Sequence, residues 1–211
     1  GTLADTSRDL IDAANACFEG RGLGSPLDHV ADKATAFGGG RAMLRLGNSR
    51  VATRDALQVD EAYPVLLKHY EAGIDRHTRL YPGAEAALLR LADAGVALGI
   101  CTNKPTPLAE VLMTRLGVRE LFASLIGAGS LEVNKPDPRP LFAAVEQAGG
   151  VPERAVLIGD TDTDRNTSAA AGVASILVTF GPGGQAVRDL APEGLLHHYD
   201  ELEAVLDALP L

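Results

Sequence analysis

The chain has 211 residues, of which 46% are hydrophobic and 4% aromatic, and it carries a formal net charge of −9. That length supports one large domain, or one domain with an insert, around a core that needs no disulfide staples. The acidic balance, with no basic stripe interleaved with aromatics, argues against a nucleic acid partner, and no run of about 18 apolar residues suggests a membrane span.

In chain order, Thr6 to Glu19, Leu27 to Ala36, Gly40 to Leu46 and Asp60 to Glu71 carry helical spacing joined by polar or Gly-rich turns. No strand is evident among them. The Gly38-Gly39-Gly40 run reads as a flexible turn. The texture changes at Arg79-Leu80-Tyr81-Pro82-Gly83. Beyond it, Ala84 to Ala94 reads as a helix stopped by Gly95, and Val96 to Cys101 as a buried strand. Pro107 to Leu116 is the next helix, Leu125 to Ala128 a short strand and Pro138 to Ala148 a helix. Ala155 to Gly159 is the most strand-like run, followed by a helix over Arg165 to Ala171 and a strand over Ser175 to Thr179. Alternating helices and apolar strands predict a parallel α/β sheet. The expected organisation is a Rossmann-like core of residues 1–8 and 79–211, with helices on both faces, interrupted by a helical cap of residues 9–78 that closes as a lid.

Ligands of open α/β sheets bind beyond the carboxyl ends of the strands, so the residues after Cys101, Ala128 and Gly159 are the first candidates. Thr102, Asn103 and Lys104 offer a hydroxyl, an amide and a cation, a set that suits phosphate but also an ordinary turn. Lys135, restrained by Pro136 and Pro138, loses little entropy when fixed on an anion, although such a lysine can equally be solvated. Asp160, Asp162 and Asp164 follow the most apolar strand. Magnesium takes one or two protein carboxylates plus water and phosphate oxygens. Asp160 is therefore read as a metal ligand, while Asp164 can also serve as a helix cap.

The order of Gly1-Thr2-Leu3-Ala4-Asp5-Thr6, Tyr81-Pro82-Gly83, Thr102-Asn103-Lys104-Pro105, Lys135-Pro136-Asp137-Pro138 and Gly159-Asp160-Thr161-x-Thr163-Asp164 resembles the haloacid dehalogenase superfamily, in its phosphoglycolate phosphatase branch. The resemblance spans essentially the whole chain. It implies a magnesium-dependent phosphatase of small phosphomonoesters, phosphoglycolate first, working through an aspartyl-phosphate. Carried onto this sequence, Thr2 and Thr102 bind phosphate oxygens, Asn103 supports the same loop, and Lys135 neutralises the phosphoryl group. Asp160 coordinates Mg2+, and Asp164 is an outer partner of the metal or of Lys135. The family's first motif reads D-x-D-G-T, whereas this sequence begins at its Gly, so the nucleophile and the acid/base are expected just upstream of Gly1. If they were truly absent, a non-catalytic binding protein on this fold would be the alternative. A phosphomutase or a phosphonate hydrolase is the alternative within the superfamily. The latter needs a cap lysine, and Lys33 and Lys68 read as solvated.

No organic cofactor is expected. The partner is a small phosphorylated metabolite, and the protein is expected to be a monomer or homodimer. Cys17 and Cys101 lie in no metal-binding or redox pattern, and the first residues resemble no signal peptide, which together predict a cytoplasmic protein. Cys101 reads as a small buried residue and His197-His198 as a surface pair. Arg41, Arg45, Arg50 and Arg54 are candidates for a basic cap face that selects the substrate.

Overall fold

The computed structural model describes residues 1–209. The chain divides into two compact units, one made of Gly1 and residues 3–79, the other of Thr2 and the described residues from Leu80 onward.

The helical unit contains α1 (Ser7–Glu19), α2 (Lys33–Ala36), α3 (Gly40–Asn48) and α4 (Val59–Ala72). Apolar residues at helical spacing bury Ile11, Ala14 and Phe18 of α1 against Met43 and Leu44 of α3 and Leu66 and Tyr70 of α4. Burying each large side chain of this kind contributes about 1.5–3 kcal/mol. Gly47 lets α3 approach α1, because a Cβ there would lie 2.3 Å from the Phe18 ring.

The helix expected over Leu27 to Ala36 shrinks to its last turn, Lys33–Ala36. The reason lies in polar side chains that capture the backbone first. Asp28 accepts from the N–H groups of Val30 and Ala31, and Asn15 pairs with both the N–H and the C=O of Leu27. Asn48 repeats that two-bond clamp on Leu57. Asp9, 3% exposed, accepts from the N–H groups of His77 and Thr78 and from the Thr78 hydroxyl, which ties the end of this unit back to α1.

The α/β unit is built on parallel strands β1 (Gly99–Pro105), β2 (Ser124–Ala128), β3 (Val156–Gly159), β4 (Ala174–Val178) and β5 (Gly194–Leu196). Between and after them run α5 (Ala84–Asp93), α6 (Thr106–Arg115), α7 (Arg139–Gln147), α8 (Asp162–Ala171) and α9 (Leu202–Asp207). Among the described residues these five strands form two hydrogen-bonded sheets, β1-β2 and β3-β4-β5, rather than one continuous sheet, and the short strands Ala4–Asp5 and Arg79–Leu80 form a separate pair, a strand that the sequence reading did not expect ahead of Arg79. Leu141 of α7 packs with Leu157 and Val173, and Cys101 of β1 and Val145 of α7 pack on the same cluster.

Two elements of this unit differ from the sequence reading by more than one residue at a boundary. Val96 and Ala97 are exposed and lie outside β1, which instead runs through Thr102-Asn103-Lys104 to Pro105. Its pairing with β2 is regular from Gly99 to Cys101 and then shifts before Pro105 meets Ala128. Gly127 permits that close passage, since a Cβ there would stand 2.7 Å from the Lys104 carbonyl oxygen. Helix α8 begins at Asp162, not Arg165, because Thr161 and Asp164 cap one another across its first turn.

Candidate active site

The described candidates lie at the carboxyl ends of β1 and β3 and on the loops that follow. β3 ends at Gly159, so Asp160 leaves the sheet at the point where α8 begins to form. Gly159 cannot carry a side chain, since its Cβ would lie 2.2 Å from that of Asp164. This close approach allows the Asp164 carboxylate to fold back on the turn. Its Oδ2 accepts from the N–H groups of Asp160 and Thr161 and from the Thr161 hydroxyl, at 3.0, 3.1 and 3.0 Å.

The other oxygen of Asp164 receives Lys135 Nζ at 2.6 Å, with the two side chains only 8% and 10% exposed. Burial alone would raise the Asp164 pKa, but the neighbouring ammonium and the hydrogen bonds outweigh it and hold the group below the ordinary carboxylate value. Lys135 mirrors this: burial disfavours its charge, and Asp164 more than restores it. Both groups are therefore ionised at neutral pH.

Lys135 is delivered by a second clamp. Its backbone N–H donates to Asn103 Oδ1 and its C=O accepts from Asn103 Nδ2, each at 3.0 Å, so the amide side chain joins the end of β1 to the Asn134-Lys135-Pro136 turn. The Lys135-Pro136 peptide is cis. Thr102 Oγ1 accepts from Lys104 N–H at 3.1 Å, which leaves the hydroxyl proton able to donate outward. Burial pushes the Cys101 thiol up to about 11 and the Lys104 ammonium down to about 7. The thiol is thus protonated at neutral pH and a poor nucleophile.

Thr2 joins the same unit from the start of the chain. Its Oγ1 donates to Asp160 Oδ1 at 2.6 Å, and Asp160 is 7% exposed. Thr2, Asp160, Asp164, Lys135 and Asn103 are therefore linked by hydrogen bonds through side chains and the backbones of Asp160 and Lys135, with Thr102 adjoining Asn103 in β1. The donor set fits magnesium: Asp160 offers a hard carboxylate oxygen just beyond a strand end, and magnesium takes one or two such carboxylates together with water and phosphate oxygens. Asp164 has both oxygens occupied by protein donors, so its contacts are those of a partner to Lys135.

A group with metal-compatible spacing occurs elsewhere: Asp9, Asp12 and His77 of the helical unit have ligand atoms within 4.8 Å of one another. Asp9 is committed to backbone and hydroxyl donors, and Asp12 Oδ1 meets His29 Nε2 at 2.5 Å. Of the cations of the helical unit, Arg50 holds the buried Asp32 with both terminal nitrogens, and Arg41 meets Asp60 while lying 3.7 Å from the Tyr63 ring centroid. Lys33 pairs with Asp5 at 2.6 Å. Of the histidine pair, His197 Nδ1 contacts the Thr179 hydroxyl and His198 Nδ1 accepts from Asp200 N–H.

Sequence reasoning missed two residues here, Thr161 and Tyr199. Thr161 was legible as the first member of a T-x-x-D cap. Tyr199 donates to the Thr2 carbonyl at 2.8 Å across 197 residues, and no local pattern announces such a contact.

A parallel α/β fold carrying a carboxylate, a buried lysine and hydroxyls at its strand ends is the scaffold of a hydrolase acting on an anionic substrate. The model of the haloacid dehalogenase-like hydrolase family matches residues 1–178, and the chain belongs to that family. It is 34% identical over 207 residues to the phosphoglycolate phosphatase of Mesorhizobium japonicum, covering 98% of this chain and 91% of that protein. It is 36% identical over 209 residues to the phosphoglycolate phosphatase of Cereibacter sphaeroides, covering 98% and 94%. Solved structures share the fold. A haloacid dehalogenase-like family protein of Streptococcus pneumoniae superposes with a TM-score of 0.81 at 24% identity, over 97% of this chain and 93% of that one. CbbY of Rhodobacter sphaeroides, in complex with phosphate, gives 0.79 at 23% identity over 98% and 95%. No helix among the described residues is long and apolar enough to cross a membrane.

Proposed function

We propose that this hydrolase is a cytoplasmic, magnesium-dependent phosphatase of small phosphomonoesters, with phosphoglycolate its first substrate, acting as a monomer or homodimer. The observation that carries the reading is the pairing of Lys135 with Asp164 in the same hydrogen-bonded group as Thr2 and Asp160. Curated relatives at 34% and 36% identity over nearly the whole chain point to phosphoglycolate.

In this reading Asp160 holds Mg2+, which supplies positive charge to the transferring phosphoryl group. Lys135 adds a second positive charge, kept ionised and aimed by Asp164. Catalysis of phosphoryl transfer is mainly positioning and charge stabilisation, and a preorganised ammonium in a water-poor site meets both needs. Thr102 and backbone N–H groups donate to the phosphoryl oxygens, and Asn103 keeps Lys135 in register with them. Thr2 acts through Asp160 rather than on phosphate alone, since its hydroxyl proton is directed to that carboxylate. The nucleophile in this reading is the first carboxylate of the family's D-x-D-G-T element, whose Gly and Thr correspond to Gly1 and Thr2. It attacks phosphorus, the ester oxygen departs with a proton from the second carboxylate, and water then cleaves the aspartyl-phosphate to regenerate the enzyme and release inorganic phosphate. The helical unit acts as the cap that selects the leaving group.

Phosphate release from 2-phosphoglycolate and a panel of other small phosphomonoesters, with Mg2+ and with EDTA, tests the reading. Metal-dependent release with phosphoglycolate ranked first is the expected result. No release from any ester at saturating Mg2+ would sink it, and a different best ester would sink the substrate assignment alone.

A further inference from the structure

The Tyr81-Pro82-Gly83 turn and the His198-Tyr199-Asp200 segment take no part in the chemistry above, yet they meet. Tyr199 is 1% exposed, and its ring lies 5.4 Å from that of Phe180, which in turn lies edge-on to Tyr81 at 4.9 Å. Gly83 adopts φ +79°, and a Cβ there would come within 3.1 to 3.3 Å of Asp200, Tyr199 and His198. A side chain at Gly83 would be strained by its backbone and would press on Tyr199 as well. Arg90 of α5 secures the far side, donating to the Tyr199 carbonyl and pairing with Glu203. The Tyr199 ring is thus fixed by aromatic neighbours on its own unit, and its one polar atom is delivered to a defined place.

That place is the backbone of Thr2. Tyr199 Oη donates to the Thr2 carbonyl at 2.8 Å, and Thr2 Oγ1 donates to Asp160 Oδ1 at 2.6 Å. Thr2 lies outside any helix or strand, so no regular backbone ladder holds it. The direction in which its hydroxyl points depends on an anchor, and Tyr199 supplies one. Burial, with Asp160 and Tyr81 nearby, raises the phenol pKa, so the group remains a donor throughout the physiological range.

We propose that Tyr199 is a positioning residue for the cation site: by anchoring Thr2 it fixes the hydroxyl that orients the Asp160 carboxylate. This rests on the assignment of Asp160 as the cation ligand. Partners that orient a metal ligand typically change affinity by about 10- to 100-fold when removed. Tyr199 stands one step further out, so the effect of its loss falls at the lower end of that range.

The test is a Tyr199→Phe substitution in the full chain, which keeps the ring and removes only the donor. Mn2+ binding is followed by titration calorimetry without substrate, alongside the urea midpoint. The expected result is a dissociation constant raised roughly 10-fold, with little change in the midpoint. At limiting Mg2+ turnover should fall and recover at high Mg2+, with the substrate KM unchanged. Arg119→Met, which removes the pair with Glu110 and the bond to the Phe122 carbonyl and leaves Tyr199, Thr2 and Asp160 untouched, serves as the structural control, lowering the urea midpoint without altering Mn2+ affinity. Wild-type affinity in a folded Tyr199→Phe protein overturns the proposal. Should that variant not fold, Thr2→Val is titrated instead, and unchanged Mn2+ binding there breaks the chain from Tyr199 to Asp160 and overturns it equally. A parent protein that binds no Mn2+ overturns the cation assignment itself, an outcome read on the unmutated chain and so distinct from failure of the Tyr199 link.

Discussion

Lys135 Nζ lies 2.6 Å from Asp164 Oδ1, and the two side chains are about nine-tenths buried. Removing one member of such a pair leaves an uncompensated charge and typically costs about 3–5 kcal/mol. Lys135→Ala should therefore lower the urea midpoint as well as turnover, with kcat falling far more than KM rises, because the ammonium matters most as the phosphoryl group transfers. Lys135→Arg should restore little, since a planar fork does not replace a point charge in a closed site. A loss confined to KM would show that Lys135 only binds.

The same pair fixes a pH dependence. Asp164 titrates below its ordinary value of 3.8, so its contribution to stability is complete above that value and disappears as pH falls through the lower folded one. Lys135 titrates above 10.5, so its contribution is complete below that value and disappears as pH rises through the higher folded one. Urea midpoints should be flat in this respect between the two limits. Asp164→Asn should weaken the acid limb, and an acid limb identical to that of the parent would contradict the assignment.

Asp160→Asn keeps the shape of the side chain and removes the charge that would hold the cation. The variant should fold, retain the hydrogen bond from Thr2, and lose most Mg2+-dependent turnover. Turnover as a function of Mg2+ concentration measures this. Near-parental rates at limiting Mg2+ would place the cation elsewhere.

Two arginines of the helical unit should behave differently. Arg50 holds Asp32, which is 3% exposed, through both terminal nitrogens, and Asp32 also accepts from Asp28 N–H. Arg50→Ala should destabilise the helical unit by about 1.5–3 kcal/mol, the range for hydrogen bonds to charged groups, and show it in the thermal midpoint. Arg45 is exposed on α3 and has no ion-pair partner among the described residues. Arg45→Ala should leave the midpoint unchanged and alter the ratio of kcat/KM between phosphoglycolate and a small aryl phosphate. Equal changes for both substrates would remove Arg45 from substrate selection.

The sequence by itself determined the alternation of helices and strands after Arg79, the helical character of the segment before it, and the strand end directly ahead of Asp160. Hydrophobic periodicity and Gly or Pro punctuation are local signals, and they locate elements well. They fail where side chains compete with the backbone, as Asp28 and Asn15 do before α2, or where a register shift extends β1 through Thr102 to Pro105. Only the tertiary structure decided what each polar group touches. Composition lets Asp164 ligate a metal or cap a helix, and the close approach at Gly159 together with Lys135 gives it to the lysine. Arg50 reads as a solvated or substrate-facing cation until Asp32 is found buried against it. Thr2 is separated from Asp160 and from Tyr199 by most of the chain, so nothing in the neighbourhood of any one of them encodes the contact. Chain folding brings these residues together, and burial strengthens each hydrogen bond that results.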